Sequence, residues 1–595
     1  MSTSPLHQKI NIVSFEVSVG GSILEDTKHI FSVQVDNAVN RIPKATIKFL
    51  DGDRSKHKFE FQDKVDFTPG NEIEIKAGYH QDNDVIFKGI IQSTGIEVKP
   101  WEHSLLVVHC ADTALKSTLR RKSVIYANQT DSDIIDKILS DNDIECSVES
   151  TSLTNKELVQ YDCTDWDFVM ARAEANGKII VSDLEQIHVK APSTDVEDFT
   201  VKYGETIIRA NLHLQGQHQY QSVESLTWNM QDQKRENVSS SEPSVNNQGS
   251  VDGQSLAGNF GNDIFEIHSS APIETDAMTE WANGILLKSR LSKIRGTIHM
   301  NGVANMLPDT VIKVEGLGRY LEGDAYISGV RHILQTGNWV TELTIGLEAQ
   351  RFVERHKNVA SPVAGGLVPG IQGIYIGTVL QIDKDPDGNF RIKVDIPVIG
   401  EKGKGIWARF SNLYSTGDSG TFFFPETEDE VVVGFINGDP TYPVILGTLF
   451  NQQKKAPFTP ESDNSTKGII TREKLKLLFE EEDKNIVLET PNGNTIILSD
   501  KDKKITIKDE HDNKIEMSSS GILFDSAKNI ELKAKQNITI KSDSGKVEVK
   551  AGSELKMEGQ TVKQKSNGPF EAQGAMMTLK ATGINTIKGA MVKIN

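Results

Sequence analysis

From about Ile469 onward the sequence sets a packing problem that a single strand cannot solve. Short apolar pairs recur there: Ile530-Glu-Leu532, Ile538-Thr-Ile540, Val547-Glu-Val549 and Leu555-Lys-Met557. Their first members lie about eight residues apart, with Gly, Ser or Asn between them. Alternation places the two apolar residues on one face and Lys, Glu or Thr on the other. A strand this short cannot bury its inner face by itself. Stacking the units into a β-solenoid can, because each new strand covers the last. Either one chain coils alone, or three chains wrap around a common axis. A single-chain coil of the hexapeptide kind needs roughly 18 residues for its three walls. An eight-residue step fits one wall plus a corner, so the spacing favours an intertwined trimer. The remaining alternative is an ordinary antiparallel meander, which leaves a long edge open to association.

The rest of the chain is of a different kind. At 595 residues it exceeds the size at which one hydrophobic core stops growing, so several domains are expected. A chain with a formal net charge of -18 has no electrostatic footprint for nucleic acid and is not expected to be drawn to an anionic membrane surface. The start MSTSPLHQKINIVSF lacks the basic and apolar regions of a secretory signal. No apolar run approaches the roughly 20 residues that span a bilayer. Synthesis in the cytoplasm is the expectation. Cys110, Cys146 and Cys163 form no CxxC pair and read as reduced thiols packed as small hydrophobes.

Residues 10–110 read mostly as strands, among them 11–19, 30–35, 45–50, 72–77, 85–91 and 104–110. Helices are expected over 132–142, from Asp165 behind an N-capping Thr164 and closed by Gly177, and over 274–293. Between them, 231–261 is rich in Ser, Asn, Gln and Gly and reads as a long mobile loop or insertion. The division expected is a hub over 1–360, a linker over 361–373, a small barrel over 374–450, a polar linker over 451–468 and a solenoid over 469–595.

Within the barrel segment, VVVGFINGDPTYPVILGT joins two apolar runs through Asn437-Gly438-Asp439-Pro440. Acids cluster just before it at Glu426, Glu428, Asp429 and Glu430. Paired-carboxylate catalysis needs acids on facing strand ends above a polar cleft. Here Asp439 sits in a turn and the cluster in a loop, so a hairpin is expected. Asn437-Gly438 suits positive φ, and Pro440 and Pro443 stiffen the return. Both runs are apolar on both faces, which predicts cover by the barrel interior on one side and by a neighbouring domain or chain on the other.

These motifs carry a resemblance. A Gly-x-Val strand (Gly377–Val379), an Arg-x-Lys-Val strand (Arg391–Val394) and a Trp-x-Arg strand (Trp407–Arg409) precede FxPExxDEVxVxF (Phe423–Phe435) and NGDPxxPxxLGxLxN (Asn437–Asn451). Together they resemble the OB-fold region of the VgrG and contractile phage tail-spike family, the central spikes of contractile injection systems. Thr164–Phe168, Leu286–Ile298 and Gly589–Asn595 resemble that family's hub helix, the segment before its closing strands and its last β-helix turns.

The resemblance implies a mainly β homotrimer: two barrel-like hub domains with some helix, an OB-fold collar and a triple-stranded β-helix needle. Trp407, Pro425, Gly434, Gly438, Asp439, Pro440 and Gly447 would be the structural marks of the OB-fold. Met591, Val592 and Ile594 would form an apolar platform for a PAAR-type tip protein. Further partners implied are inner-tube and baseplate proteins, effectors and the target envelope. No cofactor, metal or catalytic residue is expected, since no HExxH, GxSxG or P-loop stands in a supporting context. His103 and His109 lack a third ligand, and no His follows His511. Only 451–467 separates collar from needle, too short for a lysozyme domain, and no effector enzyme is expected after Asn595. The competing reading, a glycan-binding or glycan-degrading tail spike, needs rows of aromatics; the needle has Phe479, Phe524 and Phe570.

Overall fold

The computed structural model describes residues 12–25, 27–100 and 103–594. Asn11, expected to open the first strand, and Asn595, expected in the last needle turn, lie outside the described residues. The chain divides into two compact units, Met1–Leu449 and Phe450–Asn595.

Alternation in the N-terminal half becomes one 13-stranded sheet. In Glu72–Tyr79, Ile73, Ile75 and Ala77 are buried, while Lys76 reaches Glu74 at 3.1 Å on the other face. The two barrel-like parts expected of the hub are joined, because Gly323–Gln335 pairs with Ile30–Ala38 from Gly329↔Ala38 to Gln335↔Ser32. Each side of this seam has its own core. One gathers Val33, Ile47, Phe49, Ile75 and Phe87. The other gathers Ile298, Met300, Ile312, Ile327 and Leu343.

His332 lies on the seam strand, 4% exposed, with Nδ1 3.1 Å from Thr341 Oγ1. Burial pushes its imidazole down to about 4. Below its ordinary value of 6.5 the unfolded chain takes up a proton that the folded chain refuses. This contribution is therefore complete above pH 6.5 and is lost as the pH falls toward 4. We expect urea unfolding to show a loss of about 3 kcal/mol across that window, and His332→Phe to flatten it.

The helices form where capping signals stand. Thr130 and Asp133 make a reciprocal capping box at Asp131–Ser140, and Thr164 Oγ1 accepts from Asp167 N at 3.1 Å to open Asp165–Ala175. The third runs Thr275–Leu291. Asp165 does more than favour the helix dipole: its buried carboxylate meets Lys122 at 2.6 Å and accepts from Asn142 and Gln160. Glu174 ties two helices together, with Oε1 2.5 Å from Lys288 Nζ and Oε2 accepting from Phe352 N.

Of the two readings of 231–261, a mobile loop or an insertion, the mobile loop is corrected. It contains the strand Lys234–Ser239 and the helix Gly253–Phe260, capped by Asp252. Gln248 is buried and donates to Leu321 O at 3.0 Å, and Glu242 grips Arg290 through both oxygens. The polar residues that suggested mobility are the ones that pair with hub groups. All three cysteines are free thiols, and burial pushes Cys110 up to about 12.

The small barrel is closed by Tyr375–Gln381, Ile392–Asp395, Ile406–Phe410, Pro443–Leu449 and Glu430–Phe435. Val379, Ile392, Val394, Ala408, Val431, Val433 and Ile445 fill it. Leu446 is 54% exposed in the single chain, so of the two covers expected there, a neighbouring domain or a neighbouring chain, no domain of this chain supplies it among the described residues. The segment expected to be a linker packs locally: Val363–Gly366 forms a turn with Ala364 and Gly365 at φ of 56° and 60°, and Ile371 N donates to Gly438 O at 2.8 Å.

In the second unit, the eight-residue step expected from Ile469 does not begin there. Residues 466–525 form a seven-stranded antiparallel meander from Thr466–Ile470 to Gly521–Asp525. Its strands are five residues long, and its turns place Lys474, Lys484, Gly493, Lys503 and Asp512 at positive φ. Asp509 shows why these turns close: it accepts from the backbone N–H groups of His511 and Asn513, both at 2.9 Å. From 526 to 594 the chain makes no strand pairing of its own. The four repeat pairs recognised in the sequence all lie in that stretch.

Candidate interchain interface

Register in the meander sorts its side chains without ambiguity. Phe479 faces Ile486, Leu477 faces Leu488, Ile486 faces Leu498 and Leu488 faces Ile496. The same ladder continues through Ile505, Ile507, Ile515, Met517, Ile522 and Phe524. Directly opposed residues share a face, as do residues two apart. One face of this sheet is therefore aliphatic or aromatic at every central position of six successive strands.

The opposite face differs. It carries one apolar residue at the centre of each early strand, Leu478, Val487 and Ile497, flanked by polar residues. Leu478 and Val487 are buried, and Lys476 and Glu489 pair at 2.9 Å alongside them. The stems of such long side chains cover apolar surface while their charges stay wet. The apolar face has no such cover. Its central residues Ile486, Leu488, Ile496, Leu498, Ile505 and Ile507 are 37–44% exposed, and a concavity of about 850 Å³ runs past Leu488, Ile496 and Ile507 to Ile530. A soluble monomer rarely leaves more than roughly a few hundred Å² of contiguous apolar surface uncovered.

Residues 526–594 repeat the problem more severely. Ile530, Leu532, Ile538, Ile540, Val547, Val549, Leu555 and Met557 are all exposed. Met591, Val592 and Ile594 are exposed too, with Ile594 at 87%. The sequence reading named these last three but passed over the meander face. Its signal was present in KLLFE, NIVLE, TIILS, KITIK and KIEMS, at steps of about ten residues.

The OB-marking residues are brought together as a scaffold. Trp407 stands on Ile406–Phe410 opposite Lys393, Pro425 is buried in the loop before Glu430–Phe435, and Gly447 faces Val432. Asn437 and Gly438 have φ of 52° and 64°, and Gly434 and Asp439–Pro440 lie beside and within that hairpin connection. Asp439 accepts from Thr441 N at 2.8 Å, and Asp429 from Glu426 N at 2.9 Å. These carboxylates hold turns. In the loop ahead of Ile392–Asp395, Asp385 and Asp387 hold Arg391, whose guanidinium keeps the Asp385 carboxyl well below the usual range.

In the first unit a cavity of about 1030 Å³ is lined by Asp51, Asp53 and Asp66 with His29 and His103. Asp51 accepts from the backbone of Gly52, Phe61 and Gln62. Asp53 and Asp66 accept from Ser55 and Thr68, and the Ser55 hydroxyl draws Asp53 down to about 2. The acids thus close turns around the cavity. Across the described residues, no group of three or more His, Cys, Asp or Glu is placed to hold a metal ion.

Comparison with known families supplies the frame for this arrangement. The Alg8 N-terminal domain model matches residues 9–336, more than half of the chain. The chain belongs to the Alg8 N-terminal domain family. The type VI secretion system/phage-baseplate injector OB domain matches 375–450, and the phage baseplate V C-terminal trimerisation domain matches 485–564. These two models match the segments whose motifs resemble the VgrG and contractile tail-spike family. The trimerisation match starts on the meander face and runs into the repeat pairs.

Among similar proteins, the type VI secretion system spike protein VgrG3 of Vibrio cholerae is 30% identical over 112 residues, 18% of this chain and 11% of that protein. VgrG1a of Pseudomonas aeruginosa is 29% identical over 66 residues, 11% of this chain and 10% of that protein. The chain thus matches about a tenth of the length of these spike relatives. The 43 kDa tail protein of prophage MuSo2 from Shewanella oneidensis superposes with a TM-score of 0.43 at 10% identity, covering 56% of this chain and 98% of that one.

Proposed function

We propose that this member of the spike family works as a homotrimer, the central spike and baseplate hub of a contractile injection system. The observation that carries this reading is the uncovered apolar face of 466–525, which falls partly within the trimerisation match. Three such faces turned toward one axis bury each other, and the repeat pairs of 526–594 then gain the neighbours that one chain does not supply. We assign 1–360 to the hub, 374–450 to the collar and 469–594 to the needle, with short connections between. No side chain acts chemically. The needle transmits the thrust of contraction to a small area of target envelope, and interchain burial keeps it from splaying.

Made in the cytoplasm, the trimer joins inner-tube and baseplate proteins and leaves with the injection stroke, carrying effectors. Exposed Met591, Val592 and Ile594 form the platform for a PAAR-type cap. Light scattering on the full chain is expected to give about three times the 65.7 kDa chain mass. A single-chain mass overturns the reading. Removing 589–595 should abolish capture of a PAAR-type cap, and undiminished capture removes the platform.

A further inference from the structure

We infer that the outward side of 526–594 is a docking surface for an anionic lipid bilayer, an inference that rests on the trimeric needle proposed above. Residues 1–450 hold 41 Lys and Arg against 62 Asp and Glu, a net charge of -21. Residues 526–594 reverse the sign, with 12 Lys, no Arg and 6 Asp and Glu, a net charge of +6. The acidity of the whole chain hides this segment.

The charge is also graded along it. Lys541, Lys546, Lys550 and Lys556 each lie within 2.6 Å of an acid, at Asp543, Glu548 and Glu558. After Gly559 the acids end except for Glu571, while Lys563, Lys565, Lys580, Lys588 and Lys593 follow. Four of these stand next to an apolar residue, in Val562-Lys563, Leu579-Lys580, Ile587-Lys588 and Val592-Lys593. In extended chain, neighbours point to opposite faces. Packing the apolar members toward the trimer axis turns the lysines outward, three times over.

The chemistry of the array selects its partner. Lysine is a compact point charge suited to phosphate, without the bidentate fork of Arg. Phe570 is the one aromatic residue in 526–594, so the segment offers no platform for stacking nucleic acid bases. By the same alternation exposed Met576 falls on the side of Lys580 and adds an apolar group beside it. Cationic charge combined with apolar contact matches a headgroup layer above hydrocarbon.

The test uses the full-length protein with phosphatidylcholine vesicles, with and without phosphatidylglycerol, and light scattering on the same sample. Partition onto the phosphatidylglycerol vesicles should exceed that onto phosphatidylcholine alone by about tenfold or more, and should fall steeply with salt. Lys563→Gln, Lys565→Gln, Lys580→Gln, Lys588→Gln and Lys593→Gln combined should remove that excess while the trimer mass stays. Equal partition onto both vesicles, or an unaffected quintuple variant, overturns the inference with the trimer intact. Equally strong retention of duplex DNA overturns the lipid assignment. A single-chain mass with salt-sensitive binding overturns the trimeric reading and leaves the charge array standing.

Discussion

Replacing Ile496 and Leu498 together with aspartate leaves the protein as single chains: light scattering falls from about three times 65.7 kDa to one chain mass. Both residues lie on the uncovered face of the meander, opposite Leu488 and Ile486. Neither has its partly exposed side chain in the way of intrachain folding, because a solvated carboxylate there costs one chain little. In the trimer each substitution appears three times near one axis, with no cation on that face of the neighbouring strands. Removing an unpaired carboxylate from water costs several kcal/mol, and like charges add repulsion. Six such groups exceed the burial gain of the aliphatic residues they replace, about 1–3 kcal/mol each. Thr506→Asp, on the opposite face between Ile497 and Glu516, should leave the mass unchanged. Retention of the trimer by the double variant removes the meander face from the interface.

The second large effect is in the hub. Glu174→Ala should lower hub stability by about 3–5 kcal/mol in denaturant unfolding. Glu174 and Lys288 are 6% and 12% exposed at the side chain and stand 2.5 Å apart, on different helices. Removing the carboxylate leaves a buried ammonium, with Gln350 O at 2.9 Å still accepting from it, and also strips the acceptor from Phe352 N. Burial already lowers the Lys288 pKa, with Glu174 pulling the other way. Without Glu174 that pKa falls further, so the deficit should narrow as the pH rises through the alkaline range. Lys288→Met in the Glu174→Ala background should recover part of the loss, because the uncompensated charge is then gone. No recovery would mean that the carboxylate acts through Phe352 alone.

How much of this was legible in the sequence depended on the range of the interactions involved. Thr164 caps its helix and Asn437-Gly438 turns its hairpin because a cap or a turn is decided within a few residues. The strands around Glu72–Tyr79 followed from alternation for the same reason. The barrel motif was legible as a whole because its turn residues and strand spacings recur as a set. The segment 231–261 was misread because composition reports the tendency of polar residues to stay in water. It does not report that Glu242 and Gln248 meet hub partners 48 and 73 residues further along the chain.

The C-terminal segment shows both sides of that limit. Its alternating apolar pairs determined, without any structure, that a single strand could not bury them and that more chain had to be brought in. Where the meander ends and the uncovered repeats begin was decided only in three dimensions. Up to Asp525, ten-residue steps with left-handed turn residues let each strand fold back on the last and complete its hydrogen bonds within the chain. Beyond it the eight-residue steps leave strands without a neighbour of their own. Side-chain pattern reveals which face needs cover, but the length of each connection decides whether the same chain can return to provide it.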